Sequence, residues 1–366
     1  MIQSRWKWAA VVGLALAAPA QGAGLSRGTP DIQSAGPLAF GPGGLLFIGD
    51  TRGAAIFAVE TGDQAPGSPG ASIKVEGLSA KIAELLGTEP REILINDLAV
   101  NPASGKAYLS ASRGRGPDAS PVIVRVDGTG KIDVLEMKDV AFGKAALANP
   151  PAANAPAKRG VSPRNESITD LAYVDGQVFV AGLSNEEFSS RLVAIPYPFT
   201  GKAGEGTSVE IYHGAHGQFE TKSPVRTFAP YKIDGEPYLM AAYTCTPLVK
   251  VPVAALKPGQ HFKGTTVAEL GNRNRPLDMI VYRKDGKDFL LMANNSRGVM
   301  KIPADGLDKA ASITERVKDG KTEGQPYQAV DGLKGVTQLD SLDKDFALVV
   351  VEREGGAQDL ETIPLP

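Results

Sequence analysis

Asp97-Leu98-Ala99-Val100, a turn at Ser104-Gly105 and the apolar run Tyr108-Leu109-Ser110-Ala111 form a phrase that this chain of 366 residues repeats. Further copies begin at Asp170, Asp278, Thr227 and Pro37. Each copy is a short apolar strand, a turn and a second apolar strand, and the copies recur roughly every 50 to 75 residues. Such a repeat is typical of β-propeller blades, so the pattern predicts an all-β protein.

Strand signals extend the copies to units of four runs, which gives six units, the last without a fourth run. The predicted fourth runs lie at residues 72–75, 131–135, 207–212, 265–270 and 312–317. We therefore predict a six-bladed β-propeller of four-stranded antiparallel blades that forms one domain over residues 23–366. Because a closed ring leaves no free sheet edge, the N-terminal segment at residues 25–33 is expected to supply the missing strand.

Two connections interrupt the repeat. Residues 79–86 have helical spacing, and residues 140–166 are rich in Ala, Pro, Asn and Lys. Both follow a fourth run, so both are expected on the face where each blade begins, which we call the mouth face. There the longer connection is either a lid or ordinary surface structure.

The N-terminus has the layout of a secretory signal. Arg5 and Lys7 precede an apolar run at residues 9–18 and small residues at 18–22. We predict that residues 1–22 are a signal peptide and that the mature protein is periplasmic or secreted. No later run is long and apolar enough to suggest membrane insertion.

Composition narrows the classes of partner. The formal net charge is −2, and acidic and basic residues are interspersed, which argues against nucleic acid or an anionic membrane. The single cysteine, Cys245, excludes an internal disulfide. The remaining partners are a small molecule or a periplasmic protein.

Aligned units place a polar residue at the same innermost position of most blades. These residues are Asp97, Asp170, Thr227, Asp278 and Thr337, with Pro37 in the first unit. Together with Asn96, the three carboxylates form an oxygen-only set that suits calcium. The alternative is structural, because Asp often binds backbone N–H groups where a strand begins.

The loops between the second and third runs carry arginine on the same face. The candidate ligand-binding residues here and beside these loops are Arg113, Arg226, Arg275, Arg297, Asn295 and Cys245. The arginines are expected either to pair with the Asp ring or to bind a carboxylate or phosphate of a ligand.

Histidine and cysteine offer a second chemistry. His213 and His216 follow a fourth run and Cys245 lies in the next mouth-face loop, whereas His261 is expected on the opposite face. The three residues would suit copper or zinc, and a histidine could serve as a catalytic base or pair with a nucleophilic cysteine. The alternative is a small buried cysteine with solvated histidines nearby.

The first unit, Pro37-Leu38-Ala39-Phe40-Gly41-Pro42-Gly43-Gly44-Leu45-Leu46-Phe47-Ile48-Gly49-Asp50, resembles the blade phrase of the NHL-repeat, SMP-30/gluconolactonase and paraoxonase-like propellers. The resemblance implies a six-bladed fold with calcium in the central channel and lactonase or esterase activity. By position, Asp97, Asp170, Asp278 and Asn96 match its ligands. Pro37 stands where that group has a glutamate.

Three functions follow from these patterns. The first is an exported propeller that binds a polar small molecule or a partner protein at the channel mouth. The second is a calcium-dependent hydrolase in which His213 or His216 activates water. The third is a copper-binding or redox-linked periplasmic protein.

Overall fold

The computed structural model describes residues 24–67, 72–157, 160–245 and 247–366. The predicted signal peptide lies outside these ranges. Within them, no helix is both long and apolar enough to cross a membrane.

The described chain is built almost entirely of short strands. In chain order they are β1 (Ser26–Gly28), β2 (Leu38–Phe40), β3 (Leu45–Asp50), β4 (Ala55–Glu60), β5 (Lys74–Val75), β6 (Ile93–Val100), β7 (Ala107–Arg113), β8 (Ser120–Val126), β9 (Ile132–Val134), β10 (Val140–Ala146), β11 (Asp170–Val174), β12 (Gln177–Leu183), β13 (Ser190–Pro196), β14 (Gly201–Lys202), β15 (Thr207–His213), β16 (Gln218–Glu220), β17 (Thr227–Ile233), β18 (Glu236–Ala242), β19 (Pro247–Pro252), β20 (His261–Lys263), β21 (Thr265–Leu270), β22 (Pro276–Lys284), β23 (Lys287–Asn294), β24 (Gly298–Pro303), β25 (Thr322–Gly324), β26 (Gln328–Val330), β27 (Val336–Ser341), β28 (Phe346–Glu352) and β29 (Gln358–Pro364). The one α-helix of the described ranges, α1 (Leu78–Leu86), confirms the helix predicted at residues 79–86.

The strands form six sheets, each with four antiparallel strands at its centre, so the predicted six-bladed β-propeller is confirmed. From the inner strand outward the blades are blade 1 (β2, β3, β4, β10), blade 2 (β6, β7, β8, β9), blade 3 (β11, β12, β13, β15), blade 4 (β17, β18, β19, β21), blade 5 (β22, β23, β24, β26) and blade 6 (β27, β28, β29, β5).

Asp-Gly turns join the first two strands of blades 3, 4 and 5. At Asp175-Gly176 the φ angles are 48° and 81°, and Asp234-Gly235 and Asp285-Gly286 have nearly the same pair. Two consecutive positive φ angles are what a tight two-residue hairpin turn requires, and Asp-Gly tolerates them well. The turn that recurs in the sequence is therefore the hairpin at the base of a blade.

The order of the blades around the ring differs from their order in the chain. Each of six large apolar clusters fills the interface between two neighbouring blades. The pairs are blades 1 and 3, 3 and 4, 4 and 5, 5 and 6, 6 and 2, and 2 and 1. Blade 2 therefore lies between blades 6 and 1, and the ring reads 1, 3, 4, 5, 6, 2.

The strand that closes the ring is β5. It pairs with β29 of blade 6, where Val75 lies opposite Leu360, and the Ile73 amide donates to Thr362 Oγ1 at 2.9 Å. The expectation that residues 25–33 close the ring is wrong, because β1 instead pairs with β10 at the outer edge of blade 1. Val75 is fully buried against apolar residues of α1 and blade 2, and this packing selects the sheet that β5 joins.

Two further strand predictions need correction. The fourth strand of blade 1 is β10, at the start of the 140–166 connection, rather than residues 72–75. The fourth strand of blade 5 is β26, and residues 312–317 form no strand. Instead, Ile313 and Val317 pack on Tyr212 at the end of blade 3.

Candidate functional site

Four aspartates on the inner strands surround the central channel. Asp97, Asp170, Asp278 and Asp340 line one cavity of about 330 Å³. The first three are the predicted ring residues. Asp340 is the member of this set from blade 6, whereas Thr337, which the sequence pattern placed there, lines a separate groove.

Each channel carboxylate joins two blades through backbone amides. The Asp278 carboxylate accepts from Met279 N at 2.8 Å in its own blade and from Leu339 N at 2.8 Å in blade 6. The other three carboxylates also accept a backbone N–H of the neighbouring blade. Leu38 N donates to Asp97 at 2.6 Å, Phe228 N to Asp170 at 2.6 Å and Val100 N to Asp340 at 2.7 Å. These aspartates therefore make the backbone hydrogen bonds that the structural alternative expects.

Burial raises the pKa of all four carboxyl groups. It raises the pKa of Asp170 to about 7 and that of Asp340 to about 6. The pKa values of Asp97 and Asp278 rise well above the ordinary value because of burial and then of repulsion from the other channel carboxylates. In the described ranges no ion pair joins an arginine to any of them, so the expected Asp–Arg pairing is wrong.

Above the channel, on the mouth face, lies a larger concave region that we call the basin. Its volume is about 880 Å³ and its walls include the starts of the inner strands of blades 1 and 2 and part of the 147–166 connection. Among the described residues, five arginines line it, against a single carboxylate, Glu166. The arginines are Arg52, Arg115, Arg164, Arg226 and Arg275.

Neutral backbone carbonyls hold three of the basin arginines in place. Arg52 donates to the Ala119 carbonyl at 3.0 Å, and Arg115 donates to the Arg91 carbonyl at 2.7 Å. Arg164 donates to the Pro151 carbonyl at 2.7 Å and to the Arg52 carbonyl at 3.0 Å. A carbonyl orients a guanidinium without neutralising it, so these side chains keep their full charge.

The remaining two arginines differ from each other. Arg226 pairs with Glu166 at 2.5 Å and donates to Thr244 Oγ1 at 3.0 Å. The guanidinium of Arg275 has no hydrogen bond or ion pair within the described ranges. Its pKa is lowered by partial burial and by the nearby charge of Arg226.

The other predicted ligand-binding residues lie elsewhere. Asn295 and Arg297 line a separate groove between blades 5 and 6, where Asn295 accepts from Arg275 N and Arg297 donates to the Asn272 carbonyl. Arg113 lies outside the basin and reaches the Gly87 carbonyl at 3.5 Å. Asn96 lines the basin rather than the channel, and its amide donates to the Ala35 carbonyl at 2.8 Å.

Sequence reasoning did not single out Arg52, Arg115 or Arg164 as site residues. Arg52 follows Asp50-Thr51 in a mouth-face loop, so its position was a usable signal. Arg164 belongs to a connection whose course the sequence does not specify, and Arg115 is directed by contacts with residues 91 and 93.

The predicted meeting of His213, His216 and Cys245 is realised. One ligand atom from each lies within 4.8 Å of the others, and among the described residues this is the only such set of three His, Cys, Asp or Glu side chains. The two imidazole rings lie 3.9 Å apart between centroids. His213 is buried, His216 is half exposed, and neither lines the basin or the channel.

Glu220 binds both histidines. Its carboxylate is 3.0 Å from His213 Nδ1 and 2.5 Å from His216 Nδ1, and Ser223 donates to it at 2.7 Å. Burial alone would raise the pKa of Glu220, but these hydrogen bonds outweigh it and hold the pKa far below its ordinary value. The carboxylate is therefore ionised and fixes the orientation of both rings.

No protein-family model and no curated protein matches the sequence. Among solved structures, a putative oxidoreductase (glucose dehydrogenase) from Thermus thermophilus is 13% identical, with a TM-score of 0.35 over 93% of this chain and 100% of that one. The PQQ-bound aldose sugar dehydrogenase from Streptomyces coelicolor is 13% identical, with a TM-score of 0.34 over 94% and 99%. The plexin A4 extracellular region is 10% identical, with a TM-score of 0.40 over 93% and 47%. At these values the likenesses carry no inference about activity.

Proposed function

We propose that this protein is an exported propeller that binds a small anionic molecule, bearing carboxylate or phosphate groups, in the basin. The observation that carries the proposal is Arg275, a guanidinium at the basin wall with no partner among the described residues. Guanidinium groups present a planar set of donors that matches carboxylate and phosphate oxygens.

The charge of the basin supports an anion over a neutral ligand. Five arginines face one glutamate there, although the whole chain has a net charge of only −2. Positive side chains on the walls of a concave site raise the local concentration of anions. The concave shape and its volume favour a small molecule over a protein surface.

The held arginines also lower the cost of binding. Arg52, Arg115 and Arg164 are already oriented by backbone carbonyls, so a ligand does not have to order them. Arg275 supplies the hydrogen bonds that the free protein leaves unmade.

Calorimetric titration with citrate, glucose 6-phosphate and inorganic phosphate tests the proposal, with glucose as the neutral comparison. We expect at least one anion to bind and glucose not to bind. Arg275→Gln should weaken anion binding by about tenfold or more, the usual worth of a hydrogen bond to a charged group.

Arg113→Gln is the matched control, because Arg113 is also an exposed arginine but lies at the end of β7 and does not line the basin. Its affinity should equal that of the wild type. Equal losses in both variants, or no binding by any anion, would contradict the proposal.

A second candidate is the calcium-dependent hydrolase that the resemblance of the first unit implies. The observation in its favour is the presence of four carboxylates on one channel cavity. Mass spectrometry of protein purified without chelator tests it. Stoichiometric calcium that is lost in Asp170→Asn would support the hydrolase, and calcium-free protein that still binds anions would exclude it.

Export is part of the proposal because residues 1–22 have the layout of a signal peptide. Cell fractionation followed by N-terminal sequencing of the isolated protein tests it. A mature N-terminus near residue 23 in the periplasm or medium is the expected result, and an intact N-terminus in the cytoplasm would contradict it.

A further inference from the structure

We propose that His213, His216 and Cys245 bind one transition-metal ion of the copper or zinc class, at a site separate from the basin. The three side chains come from two blades. Both histidines belong to the loop after β15 of blade 3, whereas Cys245 lies between β18 and β19 of blade 4. The fold thus brings the only cysteine of the chain to two of its three histidines.

A buried nitrogen of His213 without a hydrogen bond indicates a ligand at this site. His213 is only 2% exposed, and its Nε2 atom has no hydrogen-bond partner in the part of the chain that the structure describes. Buried polar atoms are nearly always satisfied, so an imidazole nitrogen left free in this position calls for an explanation. Its other nitrogen, Nδ1, is already bound to Glu220. A metal ion bound to Nε2 would give the second ring nitrogen a partner as well.

Glu220 supplies the support that metal-binding histidines commonly have. A carboxylate on one ring nitrogen fixes the tautomer, orients the other nitrogen toward a metal and makes it more basic. Glu220 does this for both histidines at once, and Ser223 in turn fixes Glu220. The two Nε2 atoms are therefore the nitrogens left for coordination.

The surrounding backbone holds the ligands in place. Glu269 accepts from Gly214 N at 2.5 Å, and Val317 N donates to the Gly214 carbonyl at 2.9 Å, which fixes the loop between the histidines. Cys245 has a φ angle of 63°, uncommon for a residue other than glycine, and its amide donates to the Asn274 carbonyl at 2.8 Å. Residues held in such a conformation cluster at functional sites.

The ligand set selects the class of metal. Two imidazole nitrogens and one thiolate are borderline to soft donors, which copper and zinc prefer and which calcium and magnesium do not. Three protein ligands also leave a coordination position open. The site is chemically distinct from the oxygen-lined channel.

Metal titration of the purified full-length mature protein, after removal of metal with a chelator, tests the proposal. Zn²⁺ and Cu⁺ are titrated against a competing chelator, and Co²⁺ serves as a spectroscopic probe of thiolate coordination. We expect one ion per chain and a thiolate-to-cobalt charge-transfer band. Cys245→Ser should abolish the band, and His216→Ala should weaken binding by at least tenfold.

Two variants separate a built site from adventitious binding. Glu220→Gln should lower metal affinity by roughly 10- to 100-fold, because it removes the carboxylate behind both rings but no proposed ligand. His261→Ala is the control. It removes the third histidine, which is hydrogen-bonded to Ser208 and packs against the Phe188 ring, and it should leave metal affinity unchanged. Binding unaffected by Cys245→Ser, or lost equally in His261→Ala, would overturn the proposal. Circular dichroism of each variant checks that it is folded.

Discussion

The channel is lined by acidic side chains and the basin by basic ones, and the two sets differ in the partners that they have. The channel carboxyl groups each accept backbone amides from two blades, so they link neighbouring blades of the fold. Four of the five basin arginines have side-chain partners in the described chain, but only Arg226 is paired with a carboxylate, and the guanidinium of Arg275 has no partner there. The channel aspartates thus link the blades, whereas the basin arginines are the residues on which the proposed ligand binding depends.

The largest expected effect is the loss of stability in Asp278→Ala, a substitution in the channel that leaves the basin intact. The change leaves Met279 N and Leu339 N without their acceptor at the boundary of blades 5 and 6. Each buried unsatisfied donor costs about 1–3 kcal/mol, so the free energy of unfolding should fall by roughly 2–6 kcal/mol. Urea unfolding followed by circular dichroism measures the loss.

Asp331→Ala is the control, since this exposed aspartate has no partner among the described residues and should change stability by less than about 0.5 kcal/mol. Folded Asp278→Ala should still bind the anion with nearly wild-type affinity. A stable Asp278→Ala that no longer binds anions would reverse the roles assigned to channel and basin.

The pH dependence of stability gives the next largest effect. A carboxyl group whose pKa is raised in the folded state holds a proton that the unfolded chain releases. Its contribution is therefore fully present below about pH 4 and is lost as the pH rises through 6 to 7. Glu269, whose burial raises its pKa to about 7, acts in the same direction.

The free energy of unfolding should thus fall between pH 5 and pH 8, by on the order of 7 kcal/mol when the contributions of Asp170, Asp340 and Glu269 add. Urea unfolding of the wild type and of Asp340→Asn at both values measures it, and the variant should show a smaller fall. A rise in stability over this range would indicate that a bound cation holds the carboxylates ionised, which would favour the calcium-dependent candidate.

The smallest effect is expected at the one acidic residue of the basin. Glu166→Gln removes the negative charge beside Arg226 while keeping an oxygen that can accept its hydrogen bond. The substitution adds one unit of net positive charge to the basin wall, so anion affinity should rise by about threefold. Calorimetry measures it, with Glu187→Gln, an exposed residue outside the basin, as control. If the anion affinity of Glu166→Gln were unchanged or weaker, the net charge of the basin would not contribute to anion binding.

The sequence predicted the features that depend on local pattern. The short apolar runs and the turns between them specify hairpins, and so the six blades, while α1 follows from its helical spacing. The meeting of His213, His216 and Cys245 also followed, because the strand order places both loops on the mouth face.

Features set by packing between distant segments were not predictable in this way. The two-residue strand β5 is too short to carry a pattern, and its sheet is chosen by burial of Val75. Nothing local places blade 2 beside blade 6, since the order of blades depends on complementary apolar faces. Arg115 and Arg164 are directed into the basin by hydrogen bonds to backbone carbonyls. Every residue has such a carbonyl, so the sequence does not indicate these contacts.

The ring order has a kinetic consequence. Blade 1 lacks its outer strand until blade 2 has been traversed, and blade 6 is completed by a contact between Ile73 and Thr362, which are 289 residues apart in the chain. Contacts of such long range form slowly, because the chain must pay the loop-closure entropy before they stabilise anything. We therefore expect folding to be rate-limited by the pairing of β5 with β29, which completes blade 6 and closes the ring.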